Sequence, residues 1–236
     1  MTGEKKNIFE EGQVLLFDKP LYWTSFDLVN KVRIMIRSEF GIKKIKVGHA
    51  GTLDPLATGL MIICTGKATK KIEEFSSLDK EYVATFHFGK TTPSFDLETE
   101  TEGDYPTSHI TRELIEKTLQ EFSGEQQQIP PLHSAKFIEG KRAYEFARKG
   151  IEKELKPVSV VFREVELIYY GIPETKIRLL CSKGTYIRSF ARDLGLALKS
   201  GCYLSALERS SIGQFKLTEA FSLEKFDQYL KQLKQI

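Results

Sequence analysis

The chain has 236 residues, of which 41% are hydrophobic and 28% charged, and its formal net charge is +3. This composition is typical of a soluble globular protein that is long enough to bury a core. No apolar run approaches the roughly 18 residues of a membrane span, and the N-terminus lacks an apolar signal core, so neither is predicted. The small positive charge permits an anionic partner without identifying one.

Cysteines and histidines give no sign of a disulfide framework or a metal site. The three cysteines are an odd number without a CxxC spacing, which is typical of a protein in the reducing cytoplasm. The four histidines are scattered without the spacing of metal ligands, and we therefore expect no metal. These residues are Cys64, Cys181, Cys202, His49, His87, His109 and His133.

The first third of the chain alternates short apolar runs with amphipathic segments. Residues 14–20 predict a strand that ends at a proline. A helix is expected to follow, with Thr24 or Ser25 as its N-cap and Gly41 at its end. An apolar run between glycines at 59–66 predicts a second strand, and 68–78 is amphipathic.

The middle of the chain predicts a half-buried strand at 82–88, where Tyr82 and every second residue after it are apolar. An acidic run follows at 96–104 and is interpreted as a solvated loop. A helix is predicted at 111–123. The polar stretch 125–141 is expected to be a loop or hairpin, leading into a short helix that ends at Gly150.

The last third predicts two strands, at 158–170 and 176–182, and two helices, at 185–199 and 222–235. Thr185 is the expected N-cap of the first of these helices. Strands and helices do not follow the strict βαβ order of a doubly wound protein. The sequence therefore predicts an α+β fold with a large mixed, mainly antiparallel sheet flanked by helices.

The stretch GHAGTLDPLATG, residues 48–59, places one carboxylate on a tightly specified backbone. Pro55 biases Asp54 away from the helical region, and Gly48, Gly51 and Gly59 permit tight turns. Such a loop suits a catalytic carboxylate presented from a rigid edge. A turn aspartate that bonds its own backbone is the alternative, and it is the more common role of an Asp-Pro pair.

Four segments together resemble the TruB family of tRNA pseudouridine synthases: VLLFDKP, VGHAGTLDPLATGLMIICTGKATK, LDKEYVATFHFG and CSKGTYIRSFARDLG. They occur in that order, and the resemblance extends over roughly residues 12–221. It implies a pseudouridine-synthase fold with a thumb insertion at about 124–152. It also implies conversion of uridine 55 in the T-loop of tRNA to pseudouridine, with neither organic cofactor nor metal.

The same resemblance assigns three catalytic residues. Asp54 is the essential carboxylate, as nucleophile or as general base. Arg188 is expected to pair with Asp54, although a surface arginine or phosphate contact is the alternative. Tyr82 is expected to stack on the flipped uracil, although a core aromatic residue is the alternative.

Further residues are expected to bind the RNA. His49 is placed beside the target nucleotide, Lys19 is either a support for the Tyr82 region or a surface lysine, and Leu207 lines the uracil pocket or packs in the core. Basic residues of the thumb supply phosphate contacts. They are Lys136, Lys141, Arg142, Arg148 and Lys149.

The expected organisation is a single catalytic domain over 1–236 without the C-terminal PUA domain of many family members. Its expected partner is the T-arm of tRNA, with no guide RNA and no membrane, and we expect a cytoplasmic monomer. Two alternatives are the catalytic subunit of a guide-RNA particle and a non-catalytic RNA chaperone. The first normally needs a PUA domain, and intact Asp54, Tyr82 and Arg188 argue against chaperone activity alone.

Overall fold

A computed structural model describes residues 7–134, 136–138, 140–147, 149–151, 153 and 155–235. The chain forms two compact units: unit 1 is Met1–Lys80 with Glu208–Ile236, and unit 2 is Glu81–Leu207. The helices are α1 Ile8–Glu11, α2 Ser25–Phe40, α3 Ile72–Ser77, α4 Arg112–Glu121, α5 Ala143–Ala147, α6 Ile187–Ala197 and α7 Leu223–Lys234. The strands are β1 Val14–Lys19, β2 Val47–His49, β3 Ala57–Thr65, β4 Lys80–Phe88, β5 Gly124–Gln128, β6 Phe137–Ile138, β7 Lys141–Arg142, β8 Val158–Tyr169, β9 Glu174–Cys181, β10 Cys202–Ile212 and β11 Phe215–Lys216.

Unit 1 is built around β3. Strand β1 runs antiparallel to it, with Lys19 opposite Gly59, and β2 pairs antiparallel with its end. The last residues of β10 form a hairpin with β11. One apolar cluster in the core of unit 1 has these buried members: Ala50, Leu60, Ile62, Cys64, Phe75 and Ile212.

Helix α2 follows the rules that predicted it. Thr24 Oγ1 accepts a hydrogen bond from Asp27 N at 3.0 Å, and the Asp27 carboxylate accepts one from Thr24 N at 2.9 Å. This reciprocal cap satisfies two backbone N–H groups that lack a partner in the first turn. Gly41, at φ 64°, ends the helix in the left-handed region. The predicted N-cap and end of α2 are confirmed.

Unit 2 contains β4, β9, β8 and β5 as neighbours in that order, with residues 202–207 of β10 beside β4. The β8–β9 and β5–β8 ladders are antiparallel. Phe190 of α6 lies at the centre of the core, with ring centroids 4.9 to 5.5 Å from three phenylalanines: Phe86, Phe122 and Phe162. Antiparallel ladders with two isolated parallel bridges, flanked by helices, confirm the predicted α+β class.

The prediction for 125–141 is wrong at its start, because Gly124–Gln128 is a strand that pairs with β8. Strand β5 lies at the end of the strand order. Its backbone pairing with β8 outweighs the low strand preference of its polar side chains. The predicted Thr185 cap is also wrong. The N-cap of α6 is Tyr186, whose backbone N–H donates to Gln128 Oε1 at 2.8 Å, while the Thr185 hydroxyl donates to Ser182 O.

All three cysteines are buried and unbridged. Burial raises the pKa of Cys64 to about 11 and raises that of Cys202 above its ordinary value as well. Over residues 7–235, apart from the undescribed positions, no helix combines the length and apolar character needed to cross a bilayer.

Candidate active site

The loop that carries Asp54 is held from both sides in unit 1. On one side, Leu53 is 3% exposed and both of its backbone groups bond to the buried hydroxyl of Ser25, at 2.8 and 2.9 Å. On the other side, Pro55 O accepts a hydrogen bond from Tyr22 N at 2.8 Å. Asp54 itself is half-buried, and its carbonyl accepts from Ala57 N at 3.1 Å. The carboxylate therefore stands on a backbone with little freedom.

A buried arginine that the sequence analysis missed ties the two ends of this loop together. Arg209 is 1% exposed, and its guanidinium donates to Leu60 O at 2.7 Å and to Gly51 O at 3.0 Å. Gly59 has φ 101°, and a Cβ there would lie 2.7 Å from Arg209 N. The close approach of β3 to the backbone of Arg209 requires glycine at this position. No signal in the sequence marked Arg209, because its neighbours in β10 are the polar residues Glu208, Ser210 and Ser211.

Lys19 is completely buried, so the surface alternative for this residue is wrong. Its ammonium donates to Trp23 O at 2.7 Å and Pro20 O at 2.9 Å. Burial lowers the pKa of Lys19 to about 8, while the charge of Asp54 opposes that shift and the charge of Arg209 adds to it. The ammonium of Lys19 thus contributes positive charge near the carboxylate of Asp54. Its buried environment also favours loss of the proton from that ammonium.

His49 ends β2, opposite Ile63 of β3. Burial, followed by the positive charge of Arg209, lowers its pKa below the ordinary value, and a hydrogen bond with the backbone of Gly51 opposes the shift. A neutral imidazole at neutral pH suits a stacking surface better than a phosphate contact.

Unit 2 holds the other two predicted catalytic residues. Tyr82 is 8% exposed, on the buried face of β4. Arg188 is 4% exposed in the first turn of α6, so it is not a surface arginine. Its Nε lies 3.6 Å from Asp96 Oδ2, and Nη1 donates to Ser94 O at 3.4 Å. The predicted pairing of Arg188 with Asp54 stays a prediction.

Asp96 corrects the interpretation of the acidic run. Asp96 is 4% exposed and forms an ion pair with Arg188. The other acidic residues of the run are exposed: Glu98, Glu100, Glu102 and Asp104. Sequence alone did not separate it from these neighbours, because a single buried carboxylate in an acidic loop leaves no periodic pattern. Asp96 therefore joins the candidate residues of unit 2.

The remaining predicted binding residues are dispersed through unit 2. Leu207 is half-buried on β10. The ammonium of Lys136 lies 3.4 Å from Lys156 O, and Lys141 and Lys149 are exposed. Arg142 lies in the two-residue strand β7. Arg148 lies outside the described residues.

The chemistry available in unit 1 is that of a single positioned carboxylate with buried cationic neighbours. Such a group can attack a carbon centre or remove a proton. In the part of the chain that the structure describes, no three acidic, histidine or cysteine side chains converge on a position for a metal ion.

Comparison with known proteins identifies the same family that the sequence motifs resemble. The model of a family described as "TruB family pseudouridylate synthase (N terminal domain)" matches residues 37–187. A tRNA pseudouridine synthase B of Phocaeicola vulgatus is 59% identical over 224 residues, which are 95% of each chain. The protein of the same description from Flavobacterium johnsoniae is 49% identical over 232 residues, covering 98% of this chain and all of that one.

Among solved structures, a Cbf5-Nop10-Gar1 complex contains a chain with a TM-score of 0.73 and 27% identity. An H/ACA RNP bound to a substrate RNA containing 2′-deoxyuridine gives a TM-score of 0.69 at 24% identity, a likeness of fold alone. The present chain is covered to 96% and 98% in these matches but spans only 56% and 58% of the solved chains.

Proposed function

The chain belongs to the TruB family of pseudouridylate synthases, and on that premise we propose that it is a tRNA pseudouridine(55) synthase. The N1–C1′ bond of the T-loop uridine breaks, the uracil turns in place, and C5 bonds to C1′. C5 loses its proton and N1 gains one, so the product is an isomer of the substrate. The observation that carries the proposal is the loop of Asp54, held by Ser25 on one side and Tyr22 on the other.

Asp54 is the catalytic group and acts on the ribose. A backbone fixed at Leu53 and Pro55 supports this role, because a nucleophile or base needs a fixed distance to its target. Tyr82 supplies the ring against which the extruded uracil stacks, and it assists removal of the C5 proton. Arg188 pairs with the carboxylate of Asp54 and orients it, and Asp96 positions Arg188.

The substrate we propose is the T-arm of tRNA, recognised without a guide RNA. His49 stacks within the opened loop, Leu207 lines the uracil pocket, and Lys19 supports the loop of Asp54. The whole chain, 1–236, acts as a single catalytic domain with the thumb at about 124–152. We propose that it works as a monomer in the cytoplasm, where its substrate is found, and that it needs no metal or organic cofactor.

The test is incubation of the purified protein with an unmodified tRNA transcript in monovalent salt and EDTA, followed by chemical mapping of pseudouridine. Modification at position 55 alone is expected, on the whole transcript and on a T-arm stem-loop. Absence of the product unless a guide RNA or transition metal is added would overturn the proposal. Asp54→Asn and Asp54→Ala should fold, bind tRNA and form no pseudouridine, and turnover near that of the wild type in either would exclude the assigned role.

A deuterium label separates the two possible roles of Asp54. If the carboxylate removes the 2′ proton of the ribose, deuterium at C2′ of the target uridine slows single turnover by a primary isotope effect. If the carboxylate attacks C1′ and no C2′–H bond breaks, the rate stays close to that of the unlabelled RNA. The control is a deuterium at C2′ of a neighbouring nucleotide, which should leave the rate unchanged in both cases.

A further inference from the structure

A pocket of about 400 Å³ opens beside the residues that hold the loop of Asp54. It is lined by Tyr22, Trp23, Asp27, Asn30, Lys31 and Ile34, all from the β1–α2 connection and the first part of α2. We call it the Tyr22 pocket. Its volume lies within the range of small-ligand sites, and none of its side chains has a role in the proposed chemistry.

Tyr22 has two unusual properties. Its side chain is 75% exposed, and its backbone has φ 67°, a conformation that residues other than glycine rarely adopt. The hydrogen bond from Tyr22 N to Pro55 O holds this conformation. A large ring that contributes little to the core, on a backbone that disfavours it, indicates a role outside the fold, since such strain is found at functional positions.

The chemistry of the lining suits a nucleotide. Tyr22 and Trp23 supply aromatic rings, Lys31 is an exposed cation, and Asn30 supplies an amide. Base stacking on aromatic rings and cationic contact with phosphate are two of the ways in which proteins hold single-stranded RNA. Asp27 is committed to Thr24 in the cap of α2, so Lys31 is the lining residue that suits a phosphate.

Two hydrogen bonds to backbone atoms connect the residues of the Tyr22 pocket to residues of the candidate site. Tyr22 N bonds the residue after Asp54, and the ammonium of Lys19 bonds Trp23 O at 2.7 Å. An RNA strand that presents its target to Asp54 has neighbouring nucleotides within reach of this surface. The polar side chains of Asp27, Asn30 and Lys31 distinguish the pocket from an apolar groove that would bind a protein helix.

From these observations we propose that the Tyr22 pocket binds one unpaired nucleotide of the substrate RNA, with its base stacked on Tyr22 and Trp23 and its phosphate against Lys31. The inference rests on the proposed function, since it requires an RNA substrate. It adds a binding site separate from the uracil pocket and from the thumb.

The test is a cycle that pairs a protein variant with an RNA lacking one base. Tyr22→Gly is prepared in the Asp54→Asn background, so that affinity for a synthetic T-arm stem-loop is measured without turnover. Loss of one stacked ring should raise Kd by roughly 5- to 100-fold. The stem-loop is then made with an abasic nucleotide at each unpaired position other than the target. At one position the two losses should be strongly non-additive, because each removes the same contact.

Two controls accompany the cycle. Tyr169→Ala removes another exposed tyrosine, on β8 and outside the pocket, and should leave Kd unchanged. Thermal unfolding of Tyr22→Gly should show a Tm no lower than that of the parent, because glycine relieves the positive φ. A lower Tm with unchanged Kd would mean that Tyr22 serves the fold, and would overturn the inference.

The chain contains one tryptophan, and it lies in this pocket. Saturating stem-loop RNA should therefore quench the fluorescence of Trp23, and the abasic RNA found in the cycle should not. Additive losses at every position, with pseudouridine still formed by the wild-type protein, would refute the pocket and leave the proposed function standing. Absence of pseudouridine would instead count against the function, whatever the cycle shows. A fluorescence change with protein concentration alone would mean that a second copy covers the rings, and would also overturn the inference.

Discussion

The hydroxyl of Ser25 makes two hydrogen bonds with a single residue: it accepts from Leu53 N at 2.8 Å and donates to Leu53 O at 2.9 Å. Both residues are 3% exposed, so water cannot replace either bond. The first turn of α2 is thereby fixed to the residue that precedes Asp54. Two consecutive residues thus have different tasks: Thr24 caps α2, and Ser25 orients the loop that carries the carboxylate of Asp54.

Ser25→Ala should therefore affect stability and catalysis together. It leaves a buried N–H and a buried C=O without their partner, which costs about 1–3 kcal/mol for each such group. The loosened loop should lower the single-turnover rate more than it weakens tRNA binding. Urea unfolding and single-turnover assays measure the two effects. Ser77→Ala, which removes an exposed hydroxyl at the end of α3, is the matched control and should change neither. A stable, fully active Ser25→Ala protein would contradict this account.

Arg188→Lys should abolish most of the turnover while leaving tRNA binding much less affected. Lysine keeps the charge but loses the planar fork that reaches Asp96 and Ser94 at once. We expect the single-turnover rate to fall by about 100-fold or more, the usual effect of losing a positioned electrostatic group. Arg192→Lys, one turn further along α6, is the control and should stay active. If Kd rises as much as the rate falls, Arg188 is a phosphate contact.

Lys19 makes stability depend on pH in a defined direction. Its pKa is 10.5 in the unfolded chain and about 8 in the folded one, so between these values the unfolded state binds more protons. The free energy of unfolding should therefore rise with pH across this window on account of Lys19, and the cost of burying the ammonium is fully present below pH 8. Lys19→Met should flatten this rise in urea unfolding from pH 7.5 to 10. Lys70→Met, at an exposed lysine, is the control, and equal slopes for Lys19→Met and wild type would disprove the assignment.

The basic residues of the thumb should act through phosphates. Replacing four of them by alanine should weaken tRNA binding and reduce the slope of log Kd against log salt by about 3, if all four contact phosphate. The rate at saturating RNA should fall far less than the affinity. The variant changes Lys141, Arg142, Arg148 and Lys149. A variant of α7 serves as the control and should keep the full slope: Lys225, Lys231 and Lys234 to alanine. An unchanged slope in the thumb variant would exclude phosphate contacts there.

Local rules predicted the elements whose signals lie within a few residues of each other. Thr24 and Gly41 define α2 because caps and left-handed glycines act through near neighbours. The alternation that begins at Tyr82 predicted β4 correctly, because one face of that strand is buried. The catalytic role of Asp54 was inferred from the motif around it and from the family resemblance that the motif carries, and it stays a prediction.

Contacts between distant parts of the sequence were missed. The strand Gly124–Gln128 forms through pairing with residues 30 to 38 positions away, and its glutamines give no strand signal. Gln128, rather than Thr185, holds the start of α6, because its amide reaches Tyr186 across 58 residues. Arg209 and Asp96 were overlooked for the same reason: only the folded chain shows that a charged side chain is buried and which groups it bonds.

The burial of all three thiols has a practical consequence. A thiol reacts as its thiolate, and burial here both blocks access and holds Cys64 and Cys202 protonated at neutral pH. The native cysteines should therefore not react with a labelling reagent, and none needs to be removed before site-directed labelling. A single cysteine placed at the exposed Lys149 becomes the one accessible attachment point for a spin label or dye, through which the thumb can be followed as RNA arrives.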